Sequence, residues 1–262
     1  MPIAISTIRR DPHYRRQAFD AGLESLGYRL EQAGRPKSKA DLLVVWNRQL
    51  AEEQQADDWE RQGGTVIVCE NAYLAPTKWS MYAISVHGHC GSGWFPVDDE
   101  DRFAALGIEP EPWRADGGHV LVCGQRGIGS KTMASPRDWE LKIAQRLKAM
   151  GLRVVVRRHP GRFPTKTTFD EDLRGASLCV IWSSACGVQA LVRGVSVAWF
   201  APHWIGSAAA PRGYDGVTRP LRSDTARSAA LRHMAHGQWT VEEIESGEPF
   251  RRILVRLGEA SW

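Results

Sequence analysis

Long apolar runs are missing from this chain: no stretch approaches the roughly 20 residues that a membrane-spanning helix requires. The opening segment, MPIAISTIRRDPHYRR, also lacks the apolar core of a signal peptide. A cytoplasmic protein is the expectation. Cysteine is scarce, with five residues (Cys69, Cys90, Cys123, Cys179 and Cys186) in an odd set without paired short spacing, so no disulfide framework is expected. Cys69, Cys123 and Cys179 fall inside or at the end of apolar runs, where a thiol packs as a small hydrophobe. Neither sign of charge dominates: 34 Lys and Arg against 30 Asp and Glu leave a net +4. That balance is compatible with a phosphate-bearing ligand or with nucleic acid and selects neither. Ready-made catalytic words are absent as well. No Gly-Lys-Ser/Thr follows a glycine loop in Walker register, no G-x-G-x-x-G occurs, and the lack of G-x-S-x-G disfavours a triad hydrolase.

What is present is an ordinary globular composition, 43% hydrophobic and 24% charged over 262 residues, enough for one large domain or two small ones with a sizeable core. Tryptophan is abundant, at 11 residues. Trp46, Trp94, Trp182, Trp199 and Trp204 fall at expected strand ends or in loops, where an indole can stack on a sugar or a base. Core packing is the competing reading of each, and for any single one the favoured reading.

Apolar runs alternate with amphipathic stretches. Residues 2–7 (PIAIST), 41–46 (DLLVVW) and 65–69 (TVIVC) read as strands, and 14–26 and 49–62 read as the intervening helices. This β-α-β-α-β order argues for a parallel sheet covered on both faces. Between residues 71 and 113, prolines, glycines and aromatics break the pattern. Loops and one short helix near 101–106 are expected there, with EPEPW as a boundary. A second alternation follows: strands at 119–123, 153–157, 178–182 and 195–200, and helices at 136–150, 170–174 and 186–193. Residues 226–257 read as helical. The whole is an α/β fold of two Rossmann-like halves, parallel sheets with flanking helices, facing a cleft.

Open α/β sheets bind ligands outside the carboxyl ends of their strands, so the residues just past each strand are the candidates. In IWSSACGVQAL (181–191) a buried strand ends in Ser183 and Ser184 and a helix starts at once. Hydroxyls and free N–H groups at a helix start suit a phosphate, Gly187 permits close approach, and simple capping by a serine is an equal alternative. RVVVRRHPGRF (153–163) delivers Arg157, Arg158, His159 and Arg162 into a loop stiffened by Pro160, a cluster suited to a diphosphate or a carboxylate. GQRGIGS (124–130) adds Gln125, Arg126 and Gly127; its three glycines after a strand suggest a backbone that approaches a ligand closely, a weak signal alone. On the other half, Trp46, Asn47, Arg48, Glu70 and Asn71 lie at strand ends, and His87 and His89 lie in VHGHCGSGW. Glu70 first and His89 second are candidate general bases, with an ion pair or helix cap as the competing role for Glu70. No second ligand cluster accompanies His87, His89 and Cys90, so no metal is expected.

RRHPG (157–161), FDEDLRGASLCVIWSSACGVQALVRGVSV (169–197) and QWTVEEIESGEPFRRIL (238–254) together resemble the C-terminal half of GT-B glycosyltransferases, especially the capsule-polysaccharide and Kdo-transferase-like branch. With QRGIGS and the ENAYL and HGHCGSG loops, the chain is also similar to small phage and prophage proteins proposed to glycosylate hydroxymethylated pyrimidines in DNA. The resemblance implies a donor-binding half at 113–225, an acceptor-side half at 1–112, and terminal helices at 226–262 that pack back on the first half. It implies His159, Arg157 and Arg158 at the donor phosphates, Ser183, Ser184 and Gly187 at the helix start, and Gln125 and Arg126 facing them. Trp46, Asn47, Arg48, Asn71 and His87 would stand on the acceptor side. The implied reaction is metal-independent sugar transfer from a nucleotide sugar, with no resident cofactor, to an acceptor hydroxyl. A hydroxymethylpyrimidine in phage DNA is slightly favoured as acceptor; a surface polysaccharide, a small molecule, or a non-catalytic nucleotide-binding module are the alternatives.

Overall fold

A computed structural model of the chain describes residues 1–75, 80–114, 117–161 and 164–258, with the backbone alone for residues 50 and 51. In chain order the first strands and helices are β1 (Ile3–Ser6), α1 (Arg16–Ser25), β2 (Arg29–Glu31), β3 (Leu42–Trp46), α2 (Leu50–Arg61), β4 (Thr65–Asn71) and β5 (Met81–Val86). There follow α3 (Arg102–Ala105), β6 (His119–Cys123), α4 (Trp139–Ala149), β7 (Val154–Arg157), α5 (Phe169–Leu173), β8 (Ala176–Ile181), α6 (Ala185–Val192) and β9 (Ser196–Trp199). The chain continues through α7 (Gly213–Thr218), α8 (Asp224–His236), β10 (Gln238–Thr240), α9 (Val241–Glu245) and α10 (Glu248–Leu257). Two compact units result. One contains Met1–Arg102, Gly129–Lys131 and the chain from Ala235 onward; the other contains Phe103–Ile128 and Thr132–Met234. Among the described residues, no helix is long and apolar enough to cross a membrane.

The first unit is built on a six-stranded mixed sheet in the order β10-β5-β4-β3-β1-β2. β3 is buried along its whole length, as expected of a central strand covered on both faces. Its period of two divides the core. Leu43 and Val45, with Ile5, Val66 and Val68, pack against Ala56 and Trp59 of α2. Leu42 and Val44, with Ala4, Ile67 and Cys69, pack against Phe19 and Leu23 of α1 and Phe250, Ile253 and Leu254 of α10. α1 and α9 meet backbone to backbone: a Cβ on Gly22 would lie 1.9 Å from the Ile244 carbonyl oxygen, so only glycine fits there. The second unit has a four-stranded, wholly parallel sheet in the order β7-β6-β8-β9. Val120, Val122, Leu178 and Val180 supply one of its faces, and Trp139, Ile143, Ala144 and Leu147 of α4 cover them.

The structure departs from the sequence reading in three elements, β2, β5 and β10. β5 occupies part of the segment expected to be loop and runs antiparallel to β4. β10 interrupts the segment expected to be helical, and it runs antiparallel to β5 at the sheet edge. The first sheet is therefore mixed rather than parallel. Three residues carry no readable period, and the partner that makes β10 a strand lies some 150 residues earlier, as in Trp239 opposite Tyr82. β2, also three residues long, was hidden for the same reason.

Gln238 ties this edge together. Its side-chain Oε1 accepts from the backbone N–H groups of Tyr73 (2.6 Å) and Leu74 (2.8 Å), while its backbone oxygen accepts from the Arg102 guanidinium at 2.8 Å. That guanidinium also lies over the Trp239 ring, 4.1 Å from its centroid. Gln238 is fully buried, so truncating it strands two buried donors at about 1–3 kcal/mol each. Gln238→Ala is expected to lower the thermal midpoint by at least about 5 °C; an unchanged melting curve would refute this role.

Candidate active site

In the second unit, β6 lies between β7 and β8, and successive connections leave β6 on opposite sides. The crevice at such a switch point, outside the carboxyl ends of the strands, is the binding place that the topology provides. Gln125 and Ser183 both sit two residues beyond their strands, and the structure joins them across this crevice. Gln125 Oε1 accepts from Ser183 N at 2.6 Å, and its Nε2 donates to Ser183 Oγ at 3.4 Å. Ser184 caps α6, its Oγ accepting from Cys186 N at 3.1 Å, and no acidic residue occupies the first turn of that helix. Gly187 has a different reason from close approach to a ligand. A Cβ there would meet Ile181 Cδ1 at 2.5 Å and Trp204 Cζ2 at 2.7 Å, so the glycine seats α6 against the sheet and an indole.

The basic loop after β7 divides by how its charges are used. Arg157 is nearly buried; its guanidinium pairs with Asp172 and also donates to the carbonyls of Thr167 (3.0 Å) and Thr168 (3.3 Å). Its charge is thus balanced within the protein, at the start of α5. His159 is half-buried, and its Nδ1 accepts from Gly161 N at 3.0 Å. Burial, then the positive charges of Arg126 and Arg157, hold its pKa below the ordinary 6.5. It is neutral at pH 7, and with Nδ1 engaged as acceptor the ring proton is on Nε2, free to donate. Arg126 is exposed beside this ring, the Arg158 side chain is half-buried, and Arg162 lies outside the described residues. Gly127 takes φ +70, which lets the loop turn back toward Ser135.

One residue here escaped the sequence reading. Glu140, in the first turn of α4, is 8% exposed, and its carboxyl carbon lies within 3.1 Å of where a Cβ on Gly124 would stand. The available signal was its register: Glu140 shares the apolar face of α4 with Ile143, Ala144 and Leu147.

In the first unit, Glu70 closes β4. Its Oε1 accepts from Cys90 N at 2.7 Å and from the Tyr73 hydroxyl. Burial first, and then the charge of Glu70, push the Tyr73 pKa well up, so this phenol stays protonated and donates. His89 is buried one residue before Cys90, and Ser92 donates to its carbonyl through both N and Oγ. Arg48, His87 and Glu60 form a separate network. Arg48 grips Glu60 through two bonds of 2.9 and 2.8 Å and also reaches Asp57 and the His87 carbonyl; His87 Nδ1 lies 2.7 Å from Glu60. Burial alone would raise the Glu60 pKa, but hydrogen bonds from His87 and Arg48 outweigh it and hold the group below its ordinary value. Arg48 and His87, expected on the acceptor side, thus have their polar groups engaged in pinning α2. Asn47 and Arg48 are both left-handed, with φ 60 and 44, while Asn71 is exposed at the end of β4.

The tryptophans resolve toward packing. Trp46, Trp199 and Trp204 are 6%, 7% and 2% exposed. The Trp46 ring meets Tyr14 edge-on at 4.8 Å and Tyr82 at 5.8 Å, inside the core rather than presented to a ligand. The Trp182 indole donates to the Met133 carbonyl at 2.8 Å and packs edge-on against Trp139; Trp94 is half-buried, packed against the first unit's core.

No family model matches the chain, and no protein of curated function matches it in sequence. Solved structures do match in fold. The Thermosulfurimonas dismutans KpsC beta Kdo 2,7 transferase superposes with a TM-score of 0.60 at 13% identity, over 98% of this chain and 100% of that one. The beta Kdo 2,4 transferase of the same organism's KpsC gives a TM-score of 0.53 at 14% identity, over 90% of each chain. The chain therefore has a two-domain fold like that of KpsC, α/β with one mixed and one parallel sheet flanked by helices.

Two outcomes test the assignments of this site. Gly187→Ala should cost about 1–3 kcal/mol in thermal or denaturant unfolding, through overpacking against Ile181 and Trp204; unaltered stability would return Gly187 to the ligand. Glu60→Gln should lower the midpoint at neutral pH by about 2–4 °C. Because the folded-state pKa of Glu60 is depressed, its contribution is present above the ordinary value of 4.5 and fades as pH falls through the lower folded value. Wild type and variant should converge in acid, and a gap independent of pH would contradict the network.

Proposed function

We propose that the chain is a glycosyltransferase moving a sugar from a nucleotide-sugar donor to a hydroxyl of a saccharide acceptor. The observation that supports this reading is the bonding of Gln125 to Ser183 beside the α6 start, with His159 and Arg126 neighbouring each other in the loops past β7 and β6, in a chain whose fold is KpsC-like. The donor phosphates would lie against the N–H groups at the start of α6. The Nε2–H of neutral His159 and the guanidinium of Arg126 would offset charge on the departing phosphate. Arg157 would act by holding the loop, its charge being matched by Asp172. Glu140, beside Gly124, would accept a hydroxyl of the donor's ribose.

On the other unit, Glu70 is the proposed base. One carboxylate oxygen is oriented by Tyr73 and Cys90, and the other would take the acceptor proton. The acceptor oxygen then bonds to the anomeric carbon, while the bond from that carbon to the phosphate oxygen breaks and its electron pair leaves with the phosphate. His89 is the second candidate for this role. Asn71 would bind the acceptor beside Glu70. A saccharide acceptor is preferred to a hydroxymethylpyrimidine in DNA, because the structures sharing this fold are described as Kdo transferases.

The test is incubation of the protein with UDP, GDP and CMP sugars, offering saccharide acceptors and, separately, hydroxymethylated DNA, followed by mass spectrometry. Transfer to a saccharide is expected. Glu70→Gln should slow turnover on the order of 10²-fold or more with donor affinity retained. Arg126→Ala and His159→Ala should each weaken donor binding about tenfold, or ~1.4 kcal/mol. Transfer to DNA alone would reassign the acceptor; no transfer and no nucleotide affinity would sink the proposal.

A further inference from the structure

The first unit has a switch point of its own. β1 lies between β2 and β3, and the chain leaves β1 to one side for β2 and then crosses to the other for β3. The loop beyond the carboxyl end of β1 borders a 570 Å³ cavity whose charged lining is Arg10, Asp11, Arg15, Arg16, Asp20 and, from α9, Glu245. That volume suits a small molecule of monosaccharide-phosphate to nucleotide size.

The wall is fixed in advance. Ile8 is fully buried, and its carbonyl accepts from the Arg16 guanidinium at 3.0 Å. The Tyr82 hydroxyl donates to the His13 carbonyl at 2.7 Å, and Asp11 Oδ1 accepts from His13 N at 2.9 Å. The Arg15 side chain neighbours the Tyr82 hydroxyl, and the Arg15 backbone is left-handed at φ 48.

Charges committed inside the wall can be separated from those left over. Arg16 is matched by Asp20 at 3.1 Å. Asp11 is engaged with the turn at 12–14, 4.0 Å from His13 Nε2. Among the described residues, no carboxylate comes within ion-pair distance of Arg10 or Arg15. Glu245, exposed on the rim, is the remaining uncommitted acid.

We infer that this cavity binds the oxyanion group, phosphate or carboxylate, of a small ligand, with Arg10 and Arg15 as its cationic contacts and Tyr82 orienting Arg15. The site lies wholly within the first unit and does not depend on the sugar-transfer reading. An oriented guanidinium offers a carboxylate or phosphate two parallel N–H donors. The acidic rim opposes the ligand's charge, so affinity is a balance that single substitutions move in opposite directions.

The test follows arginine side-chain N–H signals of the full chain by NMR while inorganic phosphate, or in a separate arm glucuronate, is added. Saturable shifts at Arg10 and Arg15 are expected with one of the two, and the responding arm identifies the oxyanion. Arg15→Ala and Arg10→Ala should each weaken binding about tenfold. Tyr82→Phe should weaken it severalfold, and Glu245→Gln should tighten it severalfold. Arg10 is exposed, so its variant keeps the test readable if Arg15→Ala fails to fold. Arg137→Ala, at an exposed position of the other unit, should leave the Arg10 and Arg15 shifts unchanged. Absence of saturable shifts up to about 20 mM, shifts confined to Arg126, or insensitivity to both Arg10→Ala and Glu245→Gln would each overturn the inference.

Discussion

The first sheet would end at β5 in an open row of N–H and C=O groups were it not for three residues returning from far along the chain. An unpaired edge is a liability for any sheet, and β10 extends the pairing, Gln238 opposite Ala83 through Thr240 opposite Met81. Gln238 also spans sideways to Tyr73 and Leu74. Tyr73 in turn presents its hydroxyl to Glu70, the carboxylate at the end of β4. The orientation of that carboxylate therefore depends on the same buried carboxamide that completes the sheet edge. Arg102, over the Trp239 ring and paired with Glu243 at 2.9 Å, locks the returning strand from outside.

In both units the useful distinction among polar residues is between charges already matched and charges left over. Arg48 and Arg157 looked alike as basic residues past a strand. Each turns out to be matched by carboxylates at contact distance, in Glu60 and Asp57 for one and Asp172 for the other. Such groups hold loops in place and have little charge to offer a ligand. Arg126 and the Nε2–H of His159 remain available at the β6 and β7 ends. Matched pairs keep loops in one geometry, whereas an unmatched cation at a strand end keeps its charge for a ligand.

Much of this was legible from residues alone, because buried parallel strands write themselves as continuous apolar words. DLLVVW, TVIVC, HVLVC and LCVIW became β3, β4, β6 and most of β8. Short polar turns after those words marked where chemistry could sit, and Gln125 and Ser183 are indeed brought together. Hidden from that reading were the three-residue strands β2 and β10, and β5, which lies in a stretch broken by prolines, glycines and aromatics. So was Glu140, an acid on the apolar face of a helix, which periodicity treats as an exception to be ignored.

The sequence by itself determined the α/β alternation, the succession of the central strands along the chain and the strand-end position of the candidate groups, since periodicity and turn residues are local properties. Tertiary structure decided what each group does there. Gly187 proved to be a contact for Ile181 and Trp204, and Trp46 a core residue against Tyr14 and Tyr82. Arg157 became the partner of Asp172, and His159 a neutral donor held by Gly161. Roles of that kind are set by which atoms lie within a few ångströms, and those neighbours come from other strands and helices.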